Sequence, residues 1–227
     1  MRKFLFGLVV MILFVTQTAQ AATTPSPQWV KKLPAAQTSE QMIVVAGIQG
    51  TTAWISMHEK NLDGYWEMIM TTPGFIGRNG LGKVKEDDGK TPIGTFHFDY
   101  AFGIAPDPGC AIPYVQVDEN HYWSGDKNYK YNQMINLPQA TANFDRAQSE
   151  HLIDYAPNYN YVLSIDYNAA CKPSKGFALF MQCLNSVKPW TGGGVAIPEA
   201  KMLFVMQHVR PDCICVIDSL HNLGGKL

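Results

Sequence analysis

The residues of this chain best suited to covalent chemistry are its 5 cysteines and 6 histidines. A cysteine nucleophile reacts as the thiolate, and a neighbouring base such as histidine usually generates it. Cys183 ends an apolar run and precedes a polar loop, but no histidine pairs with it along the sequence. Thr191 offers a hydroxyl in the same loop and lacks a neighbouring base as well. We therefore interpret Cys183 as a buried core thiol, which is the usual setting of a free cysteine.

The remaining cysteines give no sign of a metal site. Cys213 and Cys215 alternate within a predicted strand, so they share one face and are typical of core residues. A zinc site would call for C-x-x-C or paired histidines at ligand spacing, and neither is present. An odd cysteine count leaves at least one thiol unpaired in a monomer. The sequence predicts no metal and no cofactor.

A glycine-rich segment from Gly77 to Phe96 reads G-R-N-G-L-G-K-V-K-E-D-D-G-K-T-P-I-G-T-F. It is not a phosphate-binding loop of the G-x-x-x-x-G-K-[ST] type, because Val84 follows Lys83. A dinucleotide fingerprint would need a strand before it and a helix after it, and neither is indicated. The spacing favours a hairpin-like excursion with turn glycines at Gly80, Gly82 and Gly89.

A second segment, Phe177–Val195, reads F-A-L-F-M-Q-C-L-N-S-V-K-P-W-T-G-G-G-V. Together with T-P-x-G-x-F in the glycine-rich segment, it resembles the L,D-transpeptidases, the YkuD-like cysteine transpeptidases of bacterial cell walls. Shorter matching motifs occur in the same order, and the resemblance runs from about Gln41 to the C-terminus. The motifs are Ala101–Pro106, Pro113-Tyr114, Tyr122-Trp123, Glu150-His151-Leu152 and Tyr161–Asn168.

The resemblance implies a mainly β fold, an L,D-transpeptidase (YkuD-like) β-sandwich with a few short helices. In that family a Cys thiolate attacks a diaminopimelate carbonyl in a peptidoglycan stem peptide, D-alanine leaves, and His acts as base. The family pattern ends its strand in I-F-L-H and its loop in T-A-G-C-V. The histidine position thus falls on Gln182 and the cysteine position on Gly194. Glycine has no side chain, and glutamine takes no proton near neutral pH.

The resemblance therefore implies a catalytically inactive homologue whose groove binds peptidoglycan stem peptides. The expected groove residues are Gln182, Trp190, Thr191, Gly192, Gly193 and Gly194. It also implies that Gln182→His with Gly194→Cys would rebuild the nucleophile–base pair. Two alternatives stay open: an active transpeptidase or hydrolase with a displaced nucleophile, and a structural or interaction protein that reuses the fold.

Pattern alone predicts several elements of secondary structure. A helix is expected from Pro198 to Val209, since Pro and Glu suit a first helical turn. A shorter helix is expected within Phe144–Tyr155, and a long loop from Pro106 to Pro138. Strands are expected at Met42–Ala46, Thr51–Lys60, Tyr65–Thr71 and Tyr159–Asn168.

The N-terminus is typical of a secretory signal peptide, with basic Arg2 and Lys3, an apolar run from Phe4 to Val15, and Ala19-Gln20-Ala21. The alternative is an uncleaved anchor, for which the run is shorter than the ~20 residues that a span needs. We predict a signal peptide at 1–21, a Pro- and Thr-rich linker at 22–40, and one domain at 41–227. The mature protein is expected in the periplasm or outside the cell, without stable membrane insertion. A net charge of -1 gives no reason to expect nucleic acid as a partner.

Overall fold

The computed structural model describes residues 23–184 and 187–226. The predicted signal peptide at residues 1–21 lies outside the described residues and stays a prediction. The described chain is mainly β, with helices α1 (Gln28–Lys31) and α2 (Glu199–His208). The strands are β1 (Thr24–Pro25), β2 (Gln41–Gln49), β3 (Thr52–Lys60), β4 (Trp66–Phe75), β5 (Gly94–Phe96), β6 (Phe98–Gly103), β7 (Tyr114–Gln116), β8 (His121–Trp123), β9 (Met134–Asn136), β10 (Glu150–His151), β11 (Val162–Ile165), β12 (Phe180–Cys183), β13 (Val195–Ile197) and β14 (Ile214–Ser219).

Most strands join one large sheet in the order β5-β14-β2-β3-β4-β13-β12-β11-β6-β7, with β1 added beside β4. A small second sheet has the order β10-β8-β9. The parallel pair β12 and β13 lies in the middle of the large sheet and sets Gln182 opposite Ala196. The expected mainly β, sandwich-like architecture is confirmed, as are the strands expected at Met42–Ala46 and Thr51–Lys60.

Both faces of the central strands are buried, which explains their continuous apolar runs. In β2, Ile43 and Val45 belong to the core beneath α2, whereas Met42 and Val44 belong to a second core on the opposite face. Helix α2 follows Pro198 and carries Glu199 in its first turn, as the sequence predicts. Cys213 and Cys215 are buried in the core beneath α2, so the prediction that they are core residues is also confirmed.

Residues 23–39, which composition suggests as a linker, pack onto the sheet. Val30 is fully buried and lies in one cluster with Leu33, Ala36 and Met42. The Pro-, Thr- and Ala-rich composition hides these few apolar side chains, and α1 and a 3₁₀ turn at Pro34–Gln37 bring them to one side. The predicted limits of the domain themselves stay a prediction.

The helix predicted within Phe144–Tyr155 is wrong. The segment forms two 3₁₀ turns, Arg146–Gln148 and Leu152–Tyr155, on either side of β10. Pairing of Glu150 with Trp123 of β8 takes the backbone that a helix would need. The long loop expected from Pro106 to Pro138 likewise contains β7, β8 and β9, and the strand expected at Tyr159–Asn168 shortens to β11. In the described part of the chain, no helix is both long enough and apolar enough to cross a lipid bilayer.

Candidate functional site

One cavity of about 450 Å³ collects every residue expected in the groove. Strands β12 and β13 are parallel neighbours, so the chain that leaves β12 at Cys183 crosses back to enter β13 at Val195, beside Met181. We call one side of the cavity the glycine wall, which consists of Gln182, Trp190, Thr191, Gly192, Gly193 and Gly194.

Thr191 fixes the glycine wall through the backbone. Its N–H donates to the carbonyl of Ile76 at 3.0 Å, and its hydroxyl donates to the carbonyl of Gly194 at 2.7 Å. The Thr91 hydroxyl donates to that same carbonyl at 3.0 Å. Thr191 is buried, its proton is donated to a carbonyl, and no side-chain base among the described residues accepts a hydrogen bond from it. The Thr191 hydroxyl is therefore a structural group and not a nucleophile.

Gly194 has no room for a side chain. A Cβ built on it with ideal geometry would overlap the backbone carbonyl oxygen of Phe180 on β12. This corrects the expectation that Gln182→His with Gly194→Cys would simply rebuild a nucleophile–base pair, because a cysteine there requires the backbone to move. By contrast, a Cβ on Gly192 would meet no atom within 4 Å.

Gln182 and Cys183 point to opposite faces of β12, as adjacent strand residues must. Gln182 is half-buried and lines the cavity, and its side-chain amide has no hydrogen-bond partner among the described residues. Cys183 is 1% exposed in the core, and its thiol donates to the carbonyl of Tyr161 at 3.6 Å. Burial raises the pKa of the Cys183 thiol to about 12. The interpretation of Cys183 as a core thiol is confirmed.

The glycine-rich excursion forms a second side of the cavity around a buried ion pair. Lys83 Nζ lies 3.1 Å from Asp88 Oδ1, and both side chains are largely shielded from solvent. Burial by itself would raise the pKa of Asp88, but the N–H groups of Val84, Lys85 and Lys90 and the Lys83 ammonium outweigh it and hold that pKa well below its usual range. The excursion turns at its expected glycines, with φ of 75° at Gly80, 90° at Gly82 and 68° at Gly89.

The third side, which the sequence did not predict as part of the site, is the acidic wall: Glu150, Asp154, Tyr155 and Tyr159. The Tyr159 hydroxyl donates to Glu150 Oε2 at 2.7 Å. Burial raises the pKa of Glu150 to about 7, against the opposing effect of that hydrogen bond. Tyr155 stacks on Tyr159 with ring centroids 4.7 Å apart, and Tyr155 is 39% exposed.

Residues of the acidic wall were noted in the sequence, but not as part of a site. Glu150-His151-Leu152 indicated only the fold resemblance, and nothing local shows which of the two polar side chains turns inward. The pairing of β10 with β8 decides this. Glu150 lines the cavity, whereas the His151 side chain does not line it and bonds Asp154 at 2.9 Å. No cysteine or histidine lines the cavity in residues 23–184 and 187–226.

A metal centre finds no support in the described part of the chain, where no three His, Cys, Asp or Glu side chains are grouped to hold an ion. The three sides of the cavity offer amide, carboxyl, ammonium, guanidinium and aromatic groups. That set can recognise a polar ligand of mixed charge, and the described lining residues include no cysteine or histidine.

No protein-family model matches the chain, and no curated protein matches it. Among solved structures, the chain is similar to the helical cell shape determining protein Pgp2 from Campylobacter jejuni. The identity is 12%, the TM-score is 0.40, and the match covers 80% of this chain and 48% of that one. The chain thus spans about half the length of that protein, and a likeness at this level carries no argument about function.

Proposed function

We propose that this protein is an exported, catalytically inactive homologue of the L,D-transpeptidases that binds peptidoglycan stem peptides. One observation carries the proposal. Gln182 and Gly194, which fall on the family's base and nucleophile positions, line the same open cavity, and no thiol or imidazole among the described residues joins them. An open cavity favours binding, since a purely structural role would leave this space filled.

The lining of the cavity suits a peptide. The Gln182 amide presents both a donor and an acceptor, which is what a peptide unit needs. Arg78 and Lys188 lie on the lining with Glu150 and Asp154, so ligand carboxylates and amines both find opposite charges. Trp190 is 37% exposed and adds an apolar contact surface.

The loss of turnover follows from the same residues. The family's chemistry needs a thiolate beside a base. Gly194 supplies neither a thiol nor the space for one, and Gln182 takes no proton near neutral pH. The nearest thiol in sequence, Cys183, lies in the core on the other face of β12.

A sedimentation assay with purified sacculi tests the proposal. We expect residues 22–227 to sediment with sacculi, Gln182→Ala to bind less, and the matched surface variant Gln139→Ala to bind as the parent does, because Gln139 is exposed and outside the cavity. D-Alanine release from a stem tetrapeptide, measured on the same samples, is expected to be nil. Absent sedimentation would favour a structural or interaction role, and released D-alanine would favour an active enzyme.

Export is tested separately. We expect the protein recovered from its host envelope or medium to begin at Ala22, which intact-mass measurement reports directly. A membrane-bound product that retains Met1 to Ala21 would contradict export by a cleaved signal peptide.

A further inference from the structure

We infer that the acidic wall is a binding site for a primary ammonium group, held by the Glu150 carboxylate beside the Tyr155 and Tyr159 rings. The inference rests on the proposed function only in placing a ligand in the same cavity. It adds the chemical class of the group bound and the residue that selects it.

The geometry of the carboxyl is the first argument. Glu150 Oε2 accepts the Tyr159 hydroxyl at 2.7 Å, which fixes the side chain. Glu150 Oε1 has no partner among the described residues and is not sealed from solvent, so it opens onto the cavity that Glu150 lines. A positioned, shielded carboxylate oxygen is a strong acceptor for a charged N–H donor.

The aromatic rings are the second argument. Tyr155 and Tyr159 stack with an interplanar angle of 14°, and the outer ring, Tyr155, is partly exposed beside Glu150. Ring faces attract cations, and a ring beside a carboxylate is a recurrent arrangement for ammonium groups. The buried Tyr159 ring is held edge-on by Phe102 and Phe180, so the platform is rigid.

The charge balance of the cavity is the third argument. Apart from Glu150, the charged side chains that line it in the described residues are three cationic and three anionic: Arg78, Lys83, Lys188, Glu86, Asp87 and Asp154. These formal charges cancel, so ionisation of Glu150 alone takes the lining from zero to −1. On its own strand the other titratable group, His151, is engaged with Asp154 and the carbonyl of Glu119.

The site should therefore respond to pH near neutrality. Burial raises the pKa of Glu150 to about 7, so the carboxylate that binds a cation forms as the pH rises through that value. From about pH 5.5 to about pH 8.5 the ionised fraction rises about 30-fold, and the apparent affinity for a cation rises with it.

The test uses a simple probe, n-butylammonium chloride, with n-butanol as its neutral match. Residues 22–227 are titrated across this pH range and binding is read from amide chemical shifts. We expect affinity for n-butylammonium to rise about 30-fold, weak and pH-independent binding of n-butanol, and loss of the rise in Glu150→Gln. The matched variant Asp63→Asn, whose carboxyl is exposed and outside the cavity, keeps the rise.

Each other outcome overturns the inference: no saturable binding of n-butylammonium, equal binding of the alcohol, or a Glu150→Gln variant that keeps the rise. The result is independent of the proposed function. Sacculus binding without n-butylammonium binding would leave the proposed function standing and remove the ammonium site. The reverse outcome would keep the site and remove the stem peptide as ligand.

Discussion

The glycine wall and the acidic wall face the same cavity and differ in what their side chains can do. On the glycine wall, Gln182 and three consecutive glycines line the cavity, and Gly194 has no space for a Cβ. On the acidic wall, Glu150, Tyr155 and Tyr159 form a hydrogen-bonded and stacked cluster. The glycine wall presents no thiol or imidazole among the described residues, whereas the acidic wall holds a carboxyl and two phenol rings in fixed positions.

The difference teaches that groups for catalysis and groups for ligand binding can be present independently in this fold. A shielded polar group is costly unless it has a partner, so the Glu150 carboxyl, with one hydrogen-bond partner, supports the proposed ammonium site. At Gly194 the carbonyl of Phe180 occupies the space that a side chain would need, so any larger residue there requires the backbone to move.

The acidic wall should make stability depend on the ionisation of Glu150. Its pKa in the folded state, about 7, lies above its ordinary value of 4.5. The contribution of protonated Glu150 is therefore fully present below about pH 4.5 and is lost as the pH rises through about 7. Glu150→Gln removes this loss, so relative to the parent the variant should gain up to about 3 kcal/mol between about pH 5 and about pH 8.

Urea denaturation at both pH values measures this gain as a difference in unfolding free energy. Asp154→Asn serves as the matched control, since that carboxyl lines the same cavity and bonds His151 near the surface. An identical pH dependence for parent and Glu150→Gln would show that Glu150 is solvated like a surface carboxyl, and the contrast between the walls would fail.

On the glycine wall, a side chain should be destabilising at Gly194 and harmless at Gly192. Gly194→Ala should lower the unfolding free energy by about 1–3 kcal/mol, because its Cβ must displace the Phe180 carbonyl. Gly192→Ala should change it by less than about 0.5 kcal/mol, because nothing lies near its Cβ.

Because a side chain at Gly194 must displace the Phe180 carbonyl, Gln182→His with Gly194→Cys should release no D-alanine. Equal stability of the two alanine variants, or turnover by the double variant, would show that this wall can still open.

The hydroxyl of Tyr159 should matter more than that of Tyr155. Tyr159→Phe removes the donor to Glu150 and should cost about 1–2 kcal/mol while raising the pKa of Glu150 further. Tyr155→Phe keeps the stacked ring, and the Tyr155 hydroxyl has no hydrogen-bond partner among the described residues, so its effect should be below about 0.5 kcal/mol. Thermal unfolding and NMR titration of the Glu150 carboxyl report both effects. A larger loss of stability in Tyr155→Phe than in Tyr159→Phe would contradict the expected importance of the Tyr159 hydroxyl.

The two walls also differ in how much of their structure could be predicted from the sequence. Apolar runs and alternation predicted the central strands and α2, because burial of one or both faces dictates those patterns. The residues of the glycine wall were predicted from the family resemblance of one short segment, Phe177–Val195. In the structure the parallel pairing of β12 with β13 brings the two ends of that segment side by side.

The acidic wall could not be read in this way. Glu150 and Tyr159 become partners through the pairing of β10 with β8 and through 3₁₀ turns that local pattern misread as helix. The lack of space at Gly194 is equally invisible in a sequence, since it depends on the backbone of a strand paired only in three dimensions. What the sequence missed are long-range contacts, and the direction of side chains that those contacts set.

The smallest expected effect concerns the thiol next to the glycine wall. Cys183 should stay unmodified by iodoacetamide near neutral pH, because burial raises its pKa to about 12 and leaves it 1% exposed. Cys171, which is half-buried, provides an internal reference that should react first in the same sample. Carbapenems acylate the catalytic cysteine in the L,D-transpeptidases that this chain resembles, and they should leave no adduct on Cys183. Peptide mass mapping, with a urea-unfolded sample to show that Cys183 reacts once exposed, measures all of this. A stoichiometric adduct on Cys183 in the folded protein would mean that β12 can present its core face to the cavity, and it would favour an active enzyme with a displaced nucleophile over the proposed inactive homologue.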